Sequence, residues 1–163
     1  EMQAYIARPK ANGKYPTVLI IHENRGLNAH IEDVARRAAT AGYLAIAPNA
    51  LAALPSIPTN EDEIRAQFSK LDPKQTLNNF IKAFDYAATR NDSNGKFGCV
   101  GFCWGGAMAN NLAVNVPNLK AAVAFYGRQP VAEDVAKIKA VSPLLFCLSI
   151  LAPSFNKSLT ISI

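Results

Sequence analysis

Short apolar runs alternate with amphipathic stretches along the chain. Residues 15–22 include Tyr15, Val18, Leu19, Ile20 and Ile21, which predicts a buried strand ending at His22. After a polar loop over 23–28, Ile31, Val34, Ala35 and Ala38 share one helical face, with Gly42 as the stop. Residues 43–47 predict a second buried strand closed by Pro48, and 49–60, with Pro55 and Pro58, predict a loop. Asp72 and Pro73 suit an N-cap and first helical position, and Leu77, Phe80, Ile81, Phe84 and Ala88 follow at helical spacing. Residues 91–95 are rich in turn formers, 96–102 predict a strand, and 105–116 predict a helix halted by Pro117. Residues 119–126 predict a strand, 134–139 a short helix and 141–148 a further strand.

Strands alternating with helices predict an α/β fold with a mainly parallel sheet and helices on both faces. The 163 residues suit a single domain, with no internal repeat or interdomain linker. In such sheets ligands bind beyond the carboxyl ends of the strands. That directs attention to the loop after His22 and to the junction at Cys103.

Composition narrows the function. Half the residues are apolar, enough to bury a core, and ten prolines and nine glycines do not suggest a fibrous or disordered chain. The net charge is +5, but the cations are scattered and no nucleic-acid-binding signature appears, so no nucleic-acid partner is expected. The uncharged runs 97–119 and 140–156 are interrupted by glycine, asparagine or proline and do not read as membrane spans. Three cysteines in apolar settings, Cys99, Cys103 and Cys147, argue for reduced thiols and a cytoplasmic location. The chain opens on Glu1 and a strand-like stretch instead of a leader pattern, although a removed export signal stays open. No cofactor or metal site is expected, since neither histidine nor a third cysteine lies near Cys99 and Cys103.

The chemistry concentrates at Gly101, Phe102, Cys103, Trp104, Gly105 and Gly106. They follow a predicted strand, open a predicted helix, and form a nucleophile-elbow pattern with cysteine at the nucleophile position. So sharp a turn requires small residues two before and two after the nucleophile, which Gly101 and Gly105 provide. The helix N-terminus favours a thiolate, and the Trp104 amide is placed to donate to an oxyanion. A structural cysteine at a glycine-rich junction is the plainer alternative. Cys99 reads as core. Asn24, in the loop after the first long strand, is the candidate for a second oxyanion amide. Glu23 either lies near Cys103 or is a solvated loop carboxylate, and His22 reads as a packed histidine more than as a base.

Taken together, residues 22–28, 31–37, 42–48, 101–106 and 125–130 resemble the dienelactone hydrolase family, over most of the chain up to about Leu145. The resemblance implies an α/β-hydrolase fold and a Cys–His–Asp triad hydrolysing a small-molecule ester or lactone. It implies Cys103 as nucleophile, Glu23 as the glutamate that interacts with the resting thiol, and the backbone N–H groups of Asn24 and Trp104 as oxyanion donors.

Two departures accompany it. The family's aspartate and histidine are expected after Leu145, but residues 146–163 contain no Asp, Glu or His, and both histidines, His22 and His30, precede Cys103. Five of the eight serines follow Lys139. The fold is therefore expected to be C-terminally incomplete, with 146–163 an atypical tail produced by an altered reading frame near Leu145. Turnover is expected to be weak, and an open sheet edge could pair two copies. Second, the stretch 49–54 lacks the arginine with which dienelactone-acting members hold a substrate carboxylate, leaving Arg25, Tyr126 and Arg128 as candidate substrate contacts. A class I glutamine amidotransferase-like enzyme and a non-catalytic α/β interaction module remain alternatives.

Overall fold

The computed structural model describes residues 2–58, 60–138 and 147–148. Six strands form one sheet in the order β1-β3-β2-β4-β5-β6: Ala4–Ala7 (β1), Tyr15–Ile21 (β2), Leu44–Pro48 (β3), Ser93–Phe102 (β4), Ala121–Phe125 (β5) and Cys147–Leu148 (β6). Only β1 runs antiparallel, against β3; the other neighbours are parallel.

The alternation of side chains along each strand divides the core in two. Leu19, Ile21, Leu44, Ile46, Cys99, Ala122 and Ala124 face Pro73–Thr89 (α3) and Trp104–Asn115 (α4), where Phe80, Phe84, Met108 and Leu112 are buried. Ile20, Ala45 and Ala47 face Ala29–Thr40 (α1) through Ile31 and Ala35. Helices therefore cover both faces, as the alternating pattern predicts. Each fully buried Leu, Ile or Phe contributes about 1.5–3 kcal/mol.

The caps lie where the sequence puts them. Asn28 Oδ1 accepts from Ile31 N, Asp72 Oδ1 accepts from Gln75 N with Pro73 in the first turn, and Gly42 follows α1 at φ +93°.

Several details differ from the sequence reading. The expected loop 49–60 contains a 3₁₀ turn, Ala50–Ala53, and is followed by a short helix, Glu61–Gln67 (α2). Helix α2 buries none of its residues, so it carries no apolar period; its signal is the Asn60 cap and three acidic residues in its first turn. Strand β4 begins at Ser93 inside the expected turn, because a register shift between Tyr15 and Thr17, with Gly95 at φ +77°, absorbs the extra residues. The short helix expected over 134–139 is instead Ala132–Val135 (α5), with its acidic pair Glu133 and Asp134 in the first turn. On α3 the buried stripe is Thr76, Phe80, Ala83, Phe84 and Ala87, so Ala88 faces outward. Of the strand expected over 141–148, residues 141–146 lie outside the described residues, and Cys147–Leu148 pair with Ala124 and Phe125. The tail 149–163 also lies outside them.

Candidate active site

Three neighbouring parallel strands, β2, β4 and β5, deliver the candidate residues at their carboxyl ends. Cys103 follows β4 at φ 53°, ψ −113° and caps α4. A left-handed φ at a residue with a Cβ costs on the order of 1–3 kcal/mol, so the surrounding structure must impose it. It does so through backbone contacts. Cys103 N donates to Phe125 O at 3.0 Å, and Ala107 N donates to Cys103 O at 3.2 Å. A Cβ on Gly101 would collide with Gly105 O, and one on Gly105 with the carbonyl oxygens of Ile21 and His22. A Cβ on Gly106 would lie 2.7 Å from Phe125 O, and Gly127 packs against Gly106 and Ala107 just as closely. The small-residue pattern of the sequence is thus a requirement of this turn. The Trp104 amide is in the first turn of α4, where helix N–H groups have no intrahelical acceptor.

Cys103, Asn24 and Trp104 line one cleft of about 610 Å³ with Phe68, Leu71, Met108, Tyr126 and Arg128. The cleft also includes Arg65 of α2, whose guanidinium is 3.5 Å from Asp62. Sequence reasoning missed Arg65 because it read past the helix that carries it. No acidic residue among those described lines this cleft. Arg25 is not among the lining residues; it lies 3.7 Å from Glu61 on the surface. Asn110 Nδ2 donates to Arg128 O at 3.0 Å, tying the loop after β5 to α4.

Glu23 accepts a 2.9 Å hydrogen bond from the Tyr126 hydroxyl. Burial, this hydrogen bond and the charges of Glu23 and Cys103 push the Tyr126 phenol up to about 12. Tyr126 itself has a left-handed φ of 43°. Burial likewise pushes the Cys99 thiol up to about 12, which makes it a core residue with little thiolate.

His22 is fully buried and packed. Its Nδ1 lies 2.7 Å from Glu23 O, and its Nε2 accepts from Ala50 N at 3.1 Å, a pattern that fixes the neutral Nδ1–H tautomer. Its ring stacks on Trp104, with centroids 5.6 Å apart. Burial lowers its pKa from 6.5 to about 4 despite backbone hydrogen bonds that pull the other way. Because the folded value lies below the unfolded one, this stabilisation is complete above pH 6.5 and is lost as pH falls through 4. About 3 kcal/mol of stability is expected to disappear across that window. Urea midpoints measured between pH 7 and pH 4 check this: His22→Gln should flatten the dependence, and an unchanged slope would contradict it. His30, at the start of α1, meets Phe102 edge-on and does not line the cleft. Among the described residues no group of three or more His, Cys, Asp or Glu side chains could hold a metal ion, and no helix is long and apolar enough to cross a membrane.

The sheet order, the strained turn after β4 and the cleft at the strand ends define an α/β-hydrolase fold. The sequence profile of the dienelactone hydrolase family matches residues 2–163, and the chain belongs to that hydrolase family. It is 38% identical over 132 residues to a Yersinia pestis protein named as a carboxymethylenebutenolidase, covering 78% of this chain and 49% of that one. It is 49% identical over 74 residues to a hydrolase fragment of Escherichia coli K12, covering 45% of this chain and 63% of the fragment. The crystal structure of a Klebsiella pneumoniae protein named as a dienelactone hydrolase superposes with a TM-score of 0.71 at 37% identity, over 78% of this chain and 55% of the other. The chain spans about half the length of the curated relatives it matches. This family membership sets aside the glutamine amidotransferase-like alternative.

Proposed function

We propose that the chain carries the acylating half of a carboxylic ester or lactone hydrolase, with Cys103 as its nucleophile. The observation that carries the reading is the left-handed Cys103, held in a nucleophile elbow at the N-terminus of α4 and opening on the same cleft as Asn24, Arg65, Tyr126 and Arg128. The thiolate attacks the substrate carbonyl carbon, and a C–S bond forms as the carbonyl electron pair moves to oxygen. The Asn24 and Trp104 N–H groups hold that oxyanion. Its collapse breaks the ester C–O bond, the leaving oxygen takes a proton from water, and a thioester remains on Cys103.

Release of the acyl group needs a base to activate water. His22 has both ring nitrogens engaged, and neither histidine lines the cleft. Turnover by these 163 residues is therefore expected to stall at the thioester. Two arginines, one of them 3.5 Å from Asp62, and no acidic residue line the cleft among the described residues, which favours a substrate bearing its own carboxylate. This agrees with the relatives' name, which denotes a butenolide lactone with a carboxymethylene group. Arg65 supplies a cation that the stretch 49–54 lacks.

The test pairs two p-nitrophenyl esters, one neutral and one with a free carboxylate, followed by peptide mass spectrometry. Acyl transfer to Cys103 is expected from both, about tenfold faster from the anionic ester, with Arg65→Gln removing the advantage. Acyl groups only on lysines, or none on Cys103, would defeat the reading in favour of a non-catalytic module.

A further inference from the structure

The Tyr126–Glu23 hydrogen bond spans the one strand end that carries the thiol. Ile21 pairs with Gly101 in the β2–β4 register, and Phe102 pairs with Phe125 in the β4–β5 register. Continued past the strand ends, these registers set Glu23, Cys103 and Tyr126 level with one another on three adjacent strands. Neighbouring strands lie about 4.8 Å apart, so β2 and β5 are separated by about twice that, with the end of β4 between them. The Tyr126 hydroxyl nonetheless reaches Glu23 Oε1 at 2.9 Å, joining the chain after β5 to the chain after β2.

The loop that carries Tyr126 is held in place for this reach. Tyr126 occupies a left-handed φ of 43° without being glycine. The next residue, Gly127, packs so closely on Gly106 and Ala107 that a Cβ there would collide with their backbone. Asn110 then fixes Arg128 O from α4. A non-glycine side chain at a strained position, lining the cleft with Cys103 and hydrogen-bonded to a carboxylate, points to a role for its hydroxyl.

We infer that Tyr126 is a positioning residue that engages the Glu23 carboxylate and so keeps it from accepting a hydrogen bond from the neutral Cys103 thiol. The inference rests on Cys103 being the nucleophile. Without the phenol donor Glu23 Oε1 is released to turn toward another donor, and the Cys103 thiol is the one level with it in the strand registers. A hydrogen bond from S–H to carboxylate favours the neutral thiol and lowers the reactive thiolate fraction. Tyr126, itself neutral because its phenol is pushed up to about 12, keeps its proton throughout the working range.

A double-mutant cycle reads this directly. Cys103 alkylation by iodoacetamide at pH 7 is followed by mass spectrometry of the Cys103 peptide in wild type, Tyr126→Phe, Glu23→Gln and the double variant. Tyr126→Phe keeps the ring and the backbone requirement and removes only the hydroxyl. It is expected to slow alkylation about fivefold, and to have no effect in the Glu23→Gln background. An unchanged or faster rate in Tyr126→Phe overturns the inference. So does a slowing that persists in Glu23→Gln, since Tyr126 would then act on the sulfur directly. The nucleophile assignment fails separately, on a wild-type rate no higher than that of a free thiol. The absence of coupling between the two substitutions overturns the positioning role whatever that wild-type rate is. Circular dichroism on all four proteins confirms that each is folded before its rate is compared.

Discussion

Gly101→Ala is expected to destabilise the fold by at least about 3 kcal/mol, enough to leave much of the protein unfolded or aggregated at 37 °C. Most overpacking is relieved by rotamer changes in the neighbours. Here the added methyl meets Gly105 O, a backbone atom in the first turn of α4, and Gly105 is itself pressed against the end of β2. Strand β4 lies between β2 and β5, so a shift at Gly101 would break ladders on both sides. Cys103→Gly is the opposite case, removing a Cβ from a left-handed φ of 53°, and is expected to stabilise by about 1 kcal/mol while removing the thiol. Urea unfolding of the two variants beside wild type checks both signs. If Gly101→Ala unfolds at the wild-type midpoint, the close approach of strand and helix described above is wrong.

The second large effect concerns turnover. Cys103 is expected to be acylated by an activated ester and then to release the acyl group slower, by about three or more orders of magnitude, than an intact triad would. On the proposed reading, acylation draws on the Cys103 sulfur and on the N–H groups at the N-terminus of α4. Deacylation needs an imidazole that can take a proton from water. Both nitrogens of the His22 ring are bonded to backbone groups, and burial holds its pKa at about 4. It is a structural pillar under Trp104, and His30 is outside the cleft. On the proposed reading, acylation and deacylation are thereby separable in this chain.

Much of this organisation was legible from residue order. The strands β2 and β4 announce themselves as apolar runs, α1 and α3 as periodic stripes with Asn28 and Asp72 caps, and the elbow by glycines at fixed distances from Cys103. These are local signals, set by burial, capping and steric exclusion. Helix α2 was not legible, because it buries nothing and so leaves no apolar period, and Arg65 was missed with it. The Tyr126–Glu23 bond joins residues 103 positions apart and has no local signature at all. Only the strand registers bring them together, which is why the sequence suggested Tyr126 as a substrate contact and Glu23 as a neighbour of the thiol, and could not link the two.

The most direct measurement is the stoichiometry of p-nitrophenolate release from p-nitrophenyl acetate in excess, with intact-mass analysis of the protein at the end of the fast phase. One equivalent released per chain, matched by one acetyl group on Cys103 and absent from Cys103→Ala, is the predicted result. Sustained release of many equivalents that requires Cys103 would show a working base in these 163 residues and contradict the account. So would a fast phase that survives Cys103→Ala.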